Sequence, residues 1–175
     1  MAIIDYTYFV GKINLPTDNA NYQNKLQLYI DEVQEKYLIY ALGYELYSLF
    51  IADLPTPSAQ RFTDLLDGVE YNDSLGRLTK WKGLANSDKK SLLAYFAAFE
   101  YSRNSQVYES GNGVKANLNE NADRVSPISF QVTAYNLGVE LYKELFHFLY
   151  QNQDDYPEWD YRYFRELQEI NTFNL

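Results

Sequence analysis

The chain has no cysteine, one histidine and one methionine among its 175 residues. Without cysteine there is no disulfide framework, no thiolate nucleophile and no thiolate metal site. With a single imidazole, any serine triad would have to use His147 as its base. Positive charge is also scarce: 15 Lys and Arg stand against 24 Asp and Glu, a formal net charge of −9. A nonspecific binder of free duplex DNA needs a cationic excess to release counterions, so that partner class is disfavoured. Long hydrophobic runs are missing as well. The longest, Leu92 to Phe99, falls far short of the roughly 20 residues that cross a bilayer, and the opening MAIIDYTYFVGK has no basic export segment. The expectation is a soluble, non-exported chain with no membrane partner.

Aromatic side chains are abundant instead. Eighteen tyrosines, ten phenylalanines and two tryptophans make 17% of the residues. Tyrosine joins an apolar body to a polar tip, which suits half-buried surfaces, interfaces, or a tyrosine-rich helical core. The length fits one domain over residues 1–175.

Periodicity predicts a mainly α fold, a single-domain helical bundle with a small inserted β-hairpin. Leu26, Ile30, Val33, Tyr37 and Ala41 form one helical stripe, Gly43 ends or kinks that helix, and Pro55 to Pro57 stop its continuation. Ser58 is placed to cap a short helix that Gly68 terminates. A hairpin is expected at about 68–83, with Val69, Tyr71, Thr79 and Trp81 alternating around an Asn-Asp-Ser-Gly turn. Asn86 or Ser87 is the expected cap of the next helix, which carries Leu92, Phe96 and Phe99. A flexible connection is expected at about 109–126. Ser126 and Pro127 then open the most regular helix, marked by Val132, Tyr135, Val139, Tyr142, Phe146 and Leu149. Trp159, Tyr163, Leu167 and Ile170 point to a C-terminal tail helix at about 157–170.

Motifs for chemistry fail on spacing. The glycines and lysine of GNGVKAN do not fit a P-loop, and the segment follows a helix where a dinucleotide fingerprint follows a strand. Asn117, Asn119, Asn121 and Asp123 alternate as calcium ligands do, but Ala122 stands where that loop needs glycine and Ile128 where it needs glutamate. Glu144 and His147 spell one E-x-x-H, and a di-iron bundle needs two. No catalytic, cofactor or metal residues are therefore assigned, and the chain is not expected to be an enzyme; a metal-dependent enzyme using Glu144 and His147 is a lesser alternative.

Charge is unevenly placed. Arg77, Lys80, Lys82, Lys89 and Lys90 crowd the hairpin base against Asp88 alone, while Asp154, Asp155, Glu158, Asp160, Glu166 and Glu169 outnumber Arg162 and Arg165 in the tail. Two solvated faces account for this pattern, and so does head-to-tail contact between copies.

The landmarks YLIYALGYELYSLF, RFTDLLDGVEYNDSLGRLTKWKGL and KKSLLAYFAAFEYSRNSQVYESGNGVKANLNENADRVSP together resemble head-tail connector, or head-completion adaptor, proteins of tailed phages and prophages. The similarity covers residues 37–150. It implies a structural protein that forms a homo-oligomeric ring below the portal protein, meets a tail-completion protein, and has packaged DNA only as passing channel content. It implies residence in the virion neck, and in host cytoplasm during assembly. Expected contact positions are Tyr71, Arg77, Lys80, Trp81, Lys82, Gly111, Gly113, Asn117, Asp154, Asp155, Glu158 and Asp160. A helical adaptor of a non-viral complex is the alternative.

Overall fold

The structure, a computed structural model, describes residues 1–105, 107–110, 113–116 and 127–171. After two 3-10 turns, Tyr6–Tyr8 and Gly11–Ile13, the chain enters α1, Ala20–Asp53. The Asn19 side chain accepts from the Tyr22 N–H at 3.1 Å and so satisfies one free donor of the first turn. The predicted stripe is buried, and Leu46 and Phe50 prolong it. Gly43 sits at φ 74°, ψ 162°, backbone that only glycine adopts cheaply, so the helix bends there and continues.

The remaining elements are α2 (Gln60–Asp67), β1 (Val69–Asn72), β2 (Leu78–Trp81), α3 (Leu92–Ser105), β3 (Val107–Ser110), β4 (Gly113–Ala116) and α4 (Pro127–Gln151). The fold is mainly α, with α3 packed against both α1 and α4. Tyr37 of α1 stacks on Phe96 of α3 at 3.9 Å, and Tyr135 and Tyr142 of α4 meet Phe96 edge-on.

The expected hairpin is β1–β2, with Val69 opposite Trp81 and Tyr71 opposite Thr79. A two-stranded ribbon is marginal alone in water, and this one is clamped to its neighbours. Backbone donors of Leu84 and Ala85 reach the carbonyls of Leu65 and Leu66 at the end of α2, and Ser74 N–H reaches Gln151 at the end of α4. Two glycines permit the first clamp. A Cβ on Gly68 would lie 2.5 Å from the Trp81 carbonyl oxygen, and one on Gly83 would lie 2.5 Å from the Asp67 carbonyl carbon.

Several local expectations are corrected. Ala59, not Ser58, precedes α2, because the Ser58 hydroxyl donates instead to Asp53. Helix α3 begins at Leu92, not near Asn86 to Asp88. Asn86 closes a turn by accepting from Lys90 N–H and donating to the Lys90 carbonyl; Lys89 takes a left-handed φ of 54°, and Ser91 Oγ accepts from Leu93 N–H. Part of the expected flexible connection pairs as an antiparallel hairpin, Ser110 opposite Gly113 and Glu109 opposite Val114. Residues 117–126, including the Ser126 cap, lie outside the described residues.

The largest difference is the tail. No α-helix forms over 157–170; a single 3-10 turn, Tyr161–Tyr163, interrupts an extended strap. The backbone groups that a helix would pair internally are taken by other elements. Arg165 N–H donates to the Tyr40 carbonyl, the Arg165 carbonyl accepts from Tyr142 Oη, and Asn136 exchanges two hydrogen bonds with the Ile170 backbone. The Trp159 indole donates to the Ala41 carbonyl at 2.8 Å. Strap and bend are thus coupled: the acceptors just before Gly43 receive their donors from the tail.

Gly43→Ala and Gly83→Ala should differ in cost. Open space surrounds a Cβ at Gly43, so only backbone strain of about 2 kcal/mol is expected. At Gly83, positive φ and backbone overlap act together, and the loss should be larger. Urea unfolding of both variants checks the order; an equal or smaller loss at Gly83 would contradict the clamp.

Candidate functional site

Three grooves collect most of the charged positions singled out in the sequence. The first lies against the hairpin, has a volume of about 460 Å³, and is lined by Tyr71, Arg77, Lys80, Lys82, Glu144 and His147 among others. The second, about 450 Å³, shares Lys82 and adds Lys12, Lys89 and Lys90, facing Asp88 and Glu140. The third, about 810 Å³, lies along the bend of α1, where Tyr40, Gly43 and Tyr44 face Glu158, Asp160 and Tyr163 of the strap.

The residues on the hairpin take different roles. Trp81 is corrected from contact residue to core: it is 2% exposed, donates to the Leu65 carbonyl at 3.0 Å and stacks on Phe148. Tyr71 is half-buried and meets Phe148 edge-on. Arg77 pairs with Asp73, whose carboxylate also accepts from the backbone of Leu75 and Arg77 and is held below its usual range by those bonds. Lys80 is exposed, with no carboxylate partner among the described residues. Lys82 donates to Glu144 Oε1 at 2.8 Å.

That last bond bears on the metal alternative. Glu144 is engaged with Lys82, its Oε2 is buried without a hydrogen-bond partner among the described residues, and His147 is exposed beside it. No group of three or more ligand-type side chains among the described residues is placed to hold a metal ion.

Three of the six tail carboxylates, Glu158, Asp160 and Glu169, are ion-paired within the subunit. Glu158 meets Arg61 through two parallel bonds of 2.7 and 2.9 Å, the strong fork geometry, and Arg61 also donates to the Asp155 carbonyl. Asp160 starts the 3-10 turn by accepting from Arg162 N–H and pairs with its guanidinium. Glu169 pairs with Lys143. Asp154 is exposed on the turn Gln153–Asp155. Gly113 pairs in β4, whereas Gly111 and Asn117 lie outside the described residues.

Sequence reasoning missed Lys12 and Arg61. Both lie far along the chain from the charges they join, and a local tally carries no signal for them. The turn 86–90 was also missed, although it fixes how Lys89 and Lys90 stand over the second groove. Its left-handed lysine breaks a local rule that costs roughly 1 kcal/mol or more per residue, and such strain concentrates at functional positions.

Fold and surface define a mainly α single-domain protein with small antiparallel hairpins, whose distinctive surface is a pair of lysine-lined grooves meeting at Lys82. No family model, no curated protein and no solved structure matches the chain.

Two outcomes follow from this geometry. Lys89→Gly should leave the fold as stable or raise its stability by up to about 1 kcal/mol, since glycine relieves the backbone at little steric cost; a lowered thermal midpoint would show that the side chain itself holds the turn. The second concerns acid. Hydrogen bonds from Arg61 depress the Glu158 carboxyl below its ordinary value of 4.5, so its contribution is full above that value and is lost as pH falls through the lowered one. The stability gap between the natural chain and Glu158→Gln should therefore close on acidification below 4.5. A gap that stays constant from neutral to acid pH would contradict the pairing.

Proposed function

We propose that this chain is a structural subunit of a tailed-phage neck, a head-tail connector or head-completion adaptor that acts by contact with copies of itself, the portal protein and a tail-completion protein. The observation that carries this reading is the joined pair of lysine grooves on a protein of net charge −9. Lys12, Lys80, Lys89 and Lys90 have no carboxylate partner among the described residues, whereas Glu158, Asp160 and Glu169 of the tail are ion-paired within the subunit. A surface of that kind is complementary to an anionic protein face, and charge complementarity serves register and partner choice more than raw affinity.

The family resemblance supports the same role. Its landmarks include Gly43, the LLDG and WKGL glycines and the aromatic α3 segment, which are the positions that bend α1, clamp the hairpin and centre the core. They specify a scaffold that presents surfaces. On this reading the protein works in the virion neck after assembly in host cytoplasm, and DNA passes without being bound.

Cryo-electron microscopy of virions produced from the genome that encodes the chain tests the proposal. Density for this fold in a ring below the portal is expected. A neck fully accounted for by other proteins, with the chain missing from purified particles by mass spectrometry, would overturn it.

A further inference from the structure

The second groove is more than a charged patch. It is lined by the apolar side chains of Val10, Tyr95, Leu137 and Leu141 together with Lys12, Lys82, Lys89 and Lys90. Val10 is 48% exposed, and Leu137 is half-buried, so apolar area there is open to a partner. Asp88 and Glu140 also line it, and Lys82 is paired with Glu144, so Lys12, Lys89 and Lys90 outnumber the two acids by one.

A matching surface stands elsewhere on the same chain. On α1, Leu28, Asp31, Glu32 and Glu35 fall at helical spacings of three, four and seven from Leu28, so they share one face. Leu28 is 64% exposed, an apolar knob beside three exposed carboxylates. No lysine or arginine among the described residues pairs with those acids; Asp31 accepts only from Gln27.

The two surfaces do not serve each other within one subunit. Lys36, next to Glu35, reaches Glu100 on α3 at 3.0 Å, whereas Lys89 and Lys90 precede the other end of that helix. Eight residues of α3 separate Leu92 from Glu100, about 12 Å of rise. That exceeds the screening length of about 8 Å at physiological salt. Apart from Lys82, which pairs with Glu144, neither charge set is ion-paired among the described residues.

We propose that the lysine groove of one copy receives the Leu28–Glu35 face of α1 from a second copy, with Leu28 seated on the apolar lining and Asp31, Glu32 and Glu35 meeting the lysines. This is a helix-in-groove contact between unlike surfaces, so it propagates from copy to copy and closes as a ring or continues as a filament. It rests on the assembly reading above and names the self-contact that reading requires, with the α1 acids in place of Glu158, Asp160 and Glu169, which are paired within the subunit.

The test uses the full chain. Sedimentation velocity would compare the natural protein with Lys89→Glu/Lys90→Glu, with Asp31→Lys/Glu35→Lys, and with all four changes together. Each pair alone should weaken self-association by roughly tenfold or more, and the combined variant should recover most of it. Leu28→Asp, an exposed change that spares the core, should weaken it too, and carbodiimide coupling between isotopically light and heavy copies should join groove lysines to α1 carboxylates. Association unchanged by the single reversals, no recovery in the combined variant, coupling that runs instead to Asp154 or Asp155, or a natural chain still monomeric near about 1 mM would each overturn the inference. A neck location with unaffected reversals would defeat this contact alone, whereas charge-swapped association by a chain missing from virions would defeat the phage reading and leave the contact standing.

Discussion

Phe96 is the point through which the three long helices are joined. Tyr37 of α1 lies flat on its ring, 7° from parallel, and Tyr135 and Tyr142 of α4 present their edges to it. The edge-on neighbours match the ring quadrupole, and such pairs add to the area they bury. Helix α4 comes close enough only because residue 138 is glycine: a Cβ there would stand 2.8 Å from the Phe96 ring. Since α1 and α4 both pack on α3, loss of this centre would separate the surfaces the two outer helices carry.

The abundance of tyrosine has a largely internal explanation. Tyr142, Tyr156 and Tyr8 each bury part of the ring and donate the hydroxyl to a backbone carbonyl, of Arg165, Arg61 and Asn86 respectively. Burial raises the pKa of all three, most strongly for Tyr142 and Tyr156, and keeps them neutral donors. They tie the strap to α4, the Gln153–Asp155 turn to α2, and the leader to the lysine turn. An aromatic-rich composition that also suits an interface here stitches irregular segments onto helices.

Helical periodicity and glycine punctuation made the helices and first hairpin legible. The α1 stripe, the Gly43 bend, the alternation of Val69, Tyr71, Thr79 and Trp81, and the α4 stripe each depend on residues near in sequence. What escaped depends on distant partners. Trp159, Leu167 and Ile170 have helical spacing, yet tertiary donors and acceptors on Tyr40, Asn136 and Tyr142 outcompete the local ladder. Glu158 looked like a free tail acid because Arg61 lies 97 positions away, and Lys12 joins a groove whose other cations cluster at 82–90. Trp81 was expected at a contact and is core, because alternation places a side chain on a face without saying whether that face looks to solvent or to α4.

The turn 86–90 shows how stability and contact are balanced. Glycine would suit the left-handed position, and lysine stands there instead. Asn86 bonds both backbone groups of Lys90, so the turn is held without help from the Lys89 ammonium. The strain therefore places a charge over the groove while adding nothing to the core. Local cost without local return is the pattern expected where a residue is kept for what it meets outside its own fold. The internal pairs argue the same way from the opposite side: Arg61 pairs with Glu158 of the strap, Lys82 of the hairpin pairs with Glu144 of α4, and Lys12, Lys80, Lys89 and Lys90 remain on the grooves without an ion pair among the described residues. A subunit that neutralised those too would gain little stability, since exposed pairs contribute at most about 1 kcal/mol, and under the proposed head-to-tail contact it would lose the asymmetry by which one copy would distinguish the front of the next from its back.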